Sequence, residues 1–108
     1  MVVVKIYNKL VRDKIPEIIK SNGKECKISI LSDIEYEKML EAKLNEELVE
    51  YLESKEVEEL ADLLEVIKSL ALLKGYTWEY LDNLRQCKAD ARGGFNKKIL
   101  LKEVLERK

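Results

Sequence analysis

Histidine is absent from the 108 residues. That gap removes Ser-His-Asp and Cys-His nucleophile systems, imidazole acid–base chemistry, and every zinc or iron site that needs an imidazole ligand. Proline occurs once and glycine four times, too few for a fibrous, linker-like or disordered chain. The two cysteines, Cys26 and Cys87, form no CxxC pair, so no zinc knuckle or redox dithiol is indicated and two reduced thiols are expected. No apolar run approaches a membrane span, and Val2–Val4 give way to Lys5 too early for a secretory signal. A cytoplasmic location away from membranes is the expectation. Any catalyst here must use carboxylate, lysine, tyrosine or thiol.

Charge is what the chain has in quantity: 38% of residues are Asp, Glu, Lys or Arg, beside 46% hydrophobic ones. A length of 108 residues fits a single domain, 1–108, with a modest core. The net charge of −1 conceals a separation. Between Asp33 and Glu65 lie 13 acids and three bases, whereas the rest holds eight acids against 17 bases. The basic clusters are Lys9/Arg12/Lys14, Lys20/Lys24/Lys27, Arg85/Lys88/Arg92 and Lys97/Lys98. Because an equally large acidic block offsets them, nucleic acid is not an expected partner.

Periodicity predicts a mainly helical fold with minor strands. Val2–Tyr7 is β-branched and suggests a short strand, Lys27–Leu31 is a second short strand candidate, and Phe95–Leu101 is β-leaning ahead of a charged tail. Pro16 fits the first turn of a short helix reaching Ser21, followed by an Asn22-Gly23 turn. Ser32 and Glu35 make a capping-box pattern that opens a long helix to about Glu53, with the apolar stripe Ile34, Met39, Leu40, Leu44, Leu48, Tyr51 and Leu52. A second helix runs from Glu56 to Gly75, and a third, capped by Thr77, runs from Trp78 to Arg92 and stops at Gly93-Gly94. The short Ser54-Lys55 junction requires the first two long helices to fold back as an antiparallel hairpin. The second is apolar on nearly all sides, so a second copy is expected to cover it in a dimeric helical bundle.

Glu59 and Asp62 interrupt that apolar helix, and buried carboxylates need partners. Residues facing each other across an antiparallel hairpin share a constant sum of residue numbers, which sets Glu50 opposite Glu59 and Glu47 opposite Asp62. Within each helix the i, i+3 spacing puts the pair on one face, with Cβ atoms about 5–6 Å apart. Two readings fit: a solvated acidic face, or four carboxylates whose mutual repulsion a divalent cation neutralises. All-oxygen ligation selects Mg²⁺, or Mn²⁺ in its place, and di-iron bundle chemistry is excluded because it needs Glu-x-x-His.

The stretch Glu46-Glu47-Leu48-Val49-Glu50, followed by Glu59-Leu60-Ala61-Asp62, resembles the EExxE…ExxD signature of the MazG-like nucleoside triphosphate pyrophosphohydrolases. The segments Tyr7–Pro16 and Ala91–Phe95 resemble a branch of small stand-alone proteins labelled phosphoribosyl-ATP pyrophosphohydrolase-like. The resemblance implies an all-α fold, a homodimer or dimer of dimers, and a nucleotide substrate. The implied reaction is hydrolysis of a nucleoside triphosphate between its α and β phosphates to a monophosphate and pyrophosphate, a house-cleaning activity. Mg²⁺ would be held by Glu47, Glu50, Glu59 and Asp62, with Glu46 a near-site acid. Alternatives are the phosphoribosyl-ATP pyrophosphohydrolase reaction of histidine biosynthesis and a non-catalytic helical dimerisation module. Substrate contacts are expected from Lys9, Arg12 and Lys14 in the N-terminal segment, from Lys43, and from Lys88 and Arg92. Lys43 equally suits an ion pair with a glutamate one turn on, and Arg92 equally suits the negative end of its helix. Trp78 and Tyr80 are candidates for base stacking or for packing.

Overall fold

The structure is a computed structural model that describes all residues, 1–108. It is all-helical, with α1 at Ile15–Ser21, α2 at Asp33–Ser54, α3 at Val57–Leu73 and α4 at Trp78–Arg92. Local chemistry sets the ends. At the start of α2 the Ser32 hydroxyl accepts from the Glu35 N–H at 3.2 Å, and the Glu35 carboxylate accepts from the Ser32 N–H at 3.3 Å. These reciprocal bonds satisfy two amides that the helix itself leaves unpaired. Thr77 caps α4 in the same manner, accepting from the Tyr80 N–H at 3.1 Å. At the end of α3, Gly75 adopts φ +91°, its N–H donates to the Leu72 carbonyl, and the Tyr76 N–H reaches back to the Ala71 carbonyl at 2.9 Å. That pair of bonds is a Schellman closure, which needs a residue tolerant of positive φ.

α2 and α3 pack as the expected antiparallel hairpin; α4 touches α3 alone, and α1 packs on no other helix. Lys55 makes the reversal possible by adopting a left-handed conformation at φ 62°, its N–H donating to the Tyr51 carbonyl at 2.7 Å. Its ammonium lies 5.8 Å from the centre of the Tyr51 ring, a cation–π contact over the turn. At the open end of the hairpin Lys74 bonds Glu37 at 3.3 Å.

The terminal strands do not form. Val2–Tyr7, Lys27–Leu31 and Phe95–Leu101 contain no strand, and their apolar side chains stand in solvent: Val2 is 88% exposed, Ile30 90% and Phe95 97%. β-branched composition favours extended backbone but does not supply a partner for a hydrogen-bond ladder, and within one chain none of these segments has one. No helix is long and apolar enough to cross a membrane.

A single chain is strongly underpacked. Its radius of gyration is 19.7 Å with extents of 76 × 32 × 25 Å, against about 13 Å for a compact domain of this length. Its accessible surface is 10542 Å², where a compact monomer of this mass has roughly 6,200 Å². Only Leu40, Val66 and Glu47 are buried. Val57, Leu60, Leu64 and Leu72 of α3, and Leu48, Val49 and Leu52 of α2, remain exposed.

Candidate metal centre

One of the three buried side chains is a carboxylate. Glu47 lies on the seam face of α2, two turns beyond the buried Leu40, and is 7% exposed. Carboxylate oxygens of Glu47, Glu50 and Glu59 all lie within 4.8 Å of one another. The i, i+3 step along α2 brings the first two together, and the hairpin brings Glu59 from the first turn of α3. Glu47 Oε2 is buried with no hydrogen-bond partner, an orphan that a native fold rarely leaves inside.

The electrostatics follow from this crowding. Burial raises the Glu47 pKa above its ordinary 4.5, and the neighbouring charge of Glu50 and then of Asp62 raises it further, against a smaller opposing effect of Lys43. Glu59 is raised in the same direction, by desolvation first and by Glu50 next. Such a cluster favours whatever positive charge it can gather: a proton, a lysine or a divalent ion. Carboxylate oxygens of three residues at this spacing, one of the residues carrying the unpartnered Oε2, are of the kind that could hold a hard cation.

The sequence-derived residues divide into three groups. Glu47, Glu50 and Glu59 come together as the hairpin register requires. Asp62 is close enough to act on both Glu47 and Glu59, but it turns to the Arg12 guanidinium, which donates to its Oδ1 at 2.7 Å. The second group is basic and adjacent. Lys43 Nζ lies 3.5 Å from Glu46 and 3.7 Å from Glu47, and Lys9 Nζ lies 3.7 Å from Glu46. Lys43 thus makes the ion pair with a glutamate one turn on that its spacing allows. The third group stands apart. Lys14 caps α1 through its backbone, and Lys88 and Arg92 are exposed on α4, which does not touch α2. Arg92 instead edges an open basic depression with Phe95, Lys97 and Lys98.

Tyr80 stacks on Tyr76, with ring centroids 4.9 Å apart, and Trp78 lines a shallow depression against Ala61, Leu64 and Lys68 of α3. The Arg12–Asp62 pair escapes sequence reasoning because it spans 50 residues and has no periodic signature. The one available signal was a lone arginine in a segment with no helical or strand pattern of its own.

The fold and site together define a helical hairpin with a carboxylate-lined seam. No protein-family profile matches the chain, and no solved structure matches it. A protein of Mycolicibacterium smegmatis (strain ATCC 700084 / mc(2)155), described only as uncharacterized, is 54% identical over 41 residues, 38% of this chain. The matched stretch covers 42% of that protein's length.

Proposed function

We propose that the protein is a Mg²⁺-dependent nucleoside triphosphate pyrophosphohydrolase of the MazG-like group, acting as a homodimer. The observation that carries the reading is the Glu47 carboxylate, buried without a partner for Oε2 and crowded by Glu50 and Glu59. A solvated acidic face leaves all its carboxylates in water; here Glu47 is withdrawn from it, while Glu50 and Glu59 stay partly open. Glu47, Glu50 and Glu59 are the residues to hold the ion, with Asp62 joining them once Arg12 is displaced. When bound, Mg²⁺ (or Mn²⁺) supplies the positive charge that neutralises a triphosphate and favours departure of pyrophosphate.

The chain's own groups do the rest. Lys43 and Lys9 flank the acidic cluster and give it a positive rim suited to phosphate oxygens. A carboxylate of the cluster accepts the proton of the attacking water as the anhydride between the α and β phosphates breaks, leaving a monophosphate and pyrophosphate. The dimer is supported by the surface a single chain leaves open: roughly 4,000 Å² more than a compact monomer exposes, more than the roughly 1,000–2,500 Å² per partner that obligate interfaces bury. Basic residues of α4, out of reach of the cluster in one chain, are candidates to enter it from the second copy.

The deciding experiment incubates the full chain with Mg²⁺ and a panel of nucleoside triphosphates and phosphoribosyl-ATP, and identifies the products. Pyrophosphate together with a monophosphate, abolished in Glu47→Gln and Glu59→Gln, supports the proposal. Orthophosphate release, or no turnover on any member of the panel, rejects it.

A further inference from the structure

The N-terminal third of the chain is joined to the helical body by little. Residues 1–31 contain one helix, α1, which packs on no other helix. Two side-chain ion pairs make the connection, Arg12 to Asp62 and Lys9 to Glu46. Both end on the acidic cluster or its immediate neighbour. Asn8, at φ 46°, bends the backbone between the exposed residues before it and the two bases after it. An arm whose one helix packs on no other, tethered by cations to the carboxylates that need cations, is a counter-ion set in place by the chain itself.

We propose that the segment Tyr7–Lys14 is an exchangeable strap on the acidic site, in which Arg12 competes with a divalent cation for Asp62 and passes to phosphate when a metal–triphosphate arrives. The inference rests on the divalent-cation site proposed above. Arg12 and Asp62 are 60% and 41% exposed at their side chains, so water screens the pair and its hold is weak. A divalent ion carries twice the charge and needs the same oxygen, and it displaces the guanidinium readily. The freed fork of N–H donors is suited to two oxygens of one phosphate, which a lysine cannot match. Arg12 is thus a positioning residue with opposite effects on two ligands: it opposes the bare cation and favours the cation bound to phosphate.

Those opposite signs make the test. Mn²⁺ binding to the full chain is followed by loss of the free-ion electron paramagnetic resonance signal, with Mn²⁺ alone and with Mn²⁺ plus inorganic tripolyphosphate. Arg12→Gln is expected to bind Mn²⁺ alone about two- to five-fold more tightly, the size of an exposed ion pair. It is expected to bind Mn²⁺–tripolyphosphate about ten-fold or more weakly, the size of a lost charge-assisted bond. Lys5→Gln removes an equal charge from the same arm, where no carboxylate partner exists, and leaves both affinities unchanged. Unchanged or weaker Mn²⁺ binding in Arg12→Gln, or an equal effect of Lys5→Gln, overturns the strap while leaving the metal site standing. Absence of Mn²⁺ binding by the unsubstituted chain overturns both.

Discussion

Replacing Glu47 by Gln keeps the side chain's shape and removes its charge, and with the proposed cation site that change has opposite consequences with and without metal. In the metal-free protein Glu47 is 7% exposed, Oε2 has no partner, and oxygens of Glu50 and Glu59 lie within 4.8 Å. Two unit charges at that separation repel by about 3.5 kcal/mol at an effective dielectric of 20 and by about 1 kcal/mol in water. The Lys43 ammonium, 3.7 Å away, attracts the carboxylate but not the amide, and forgoing that ion pair costs no more than about 1 kcal/mol. The amide adds a donor toward the remaining carboxylates. Glu47→Gln therefore stabilises the metal-free protein by about 1–2 kcal/mol, which moves the midpoint of thermal unfolding up by roughly 4–8 °C per kcal/mol. With Mg²⁺ the order inverts. A cation at a hundredfold excess over its dissociation constant stabilises the unsubstituted chain by about 2.7 kcal/mol, and the variant, lacking the central ligand, gains little. The assay is urea unfolding of both proteins at one fixed protomer concentration, once in EDTA and once in Mg²⁺. A variant less stable than the parent in EDTA, or an equal gain from Mg²⁺ in both, refutes the reasoning.

Three further outcomes follow from the same geometry. Because burial and then Glu50 raise the Glu47 pKa above 4.5, the native state holds that proton more tightly than the unfolded chain does. Its contribution is fully present below the ordinary glutamate value and is lost as pH rises through the raised one. In EDTA the unsubstituted protein should lose stability relative to Glu47→Gln between mildly acidic and neutral pH, and a flat difference in unfolding free energy contradicts this. Gly75→Ala meets no atom within 4 Å yet must hold φ +91°, so thermal unfolding should show a loss of about 1–2 kcal/mol from backbone strain alone. Gly94→Ala, with equally open space and no positive φ, should cost much less. Leu64→Lys and Leu72→Lys alter side chains 47% and 54% exposed in one chain. In a monomer they are near neutral, and in the proposed dimer they shift sedimentation equilibrium toward protomers.

The helices and three of the four acids were legible because both rest on periodicity. A capping box at Ser32, a glycine stop at Gly75 and a short junction at Ser54-Lys55 fixed the hairpin register, and the register alone put Glu47, Glu50 and Glu59 together. Two kinds of feature were not legible. The segments Val2–Tyr7 and Phe95–Leu101 read as strands because composition reports preference for extended backbone, whereas a strand is a relation between two segments. The turn of Asp62 toward Arg12 was hidden for a similar reason. A long-range ion pair between exposed groups depends on where an irregular arm settles, and no spacing rule encodes that. Lys55 likewise gave no sign of positive φ, because the hairpin imposes a backbone conformation that a lysine does not itself prefer.

Placement of the exposed apolar residues ties the proposed dimer to the acidic site. Leu48, Val49 and Leu52 flank Glu47 and Glu50 on α2, and Val57, Leu60 and Leu64 flank Glu59 and Asp62 on α3. The half of the hairpin that gathers the carboxylates is thus the half most in need of cover, and only Leu40 and Val66 are buried apolar side chains holding the two helices in register. In the proposed dimer a second copy seated there would fix the separation of α2 and α3, and with it the oxygen spacing on which affinity at the proposed cation site depends. A cation that drew the same oxygens together would stiffen the surface offered to the second copy of the proposed dimer. Linkage makes the two effects equal in size: dimerisation must tighten Mn²⁺ binding by the factor per protomer by which Mn²⁺ favours the dimer. Titrations across the protomer concentrations where the dimer dissociates should show Mn²⁺ affinity falling with dilution. An affinity constant across that range separates the metal site from the interface and assigns the hairpin's geometry to a single chain.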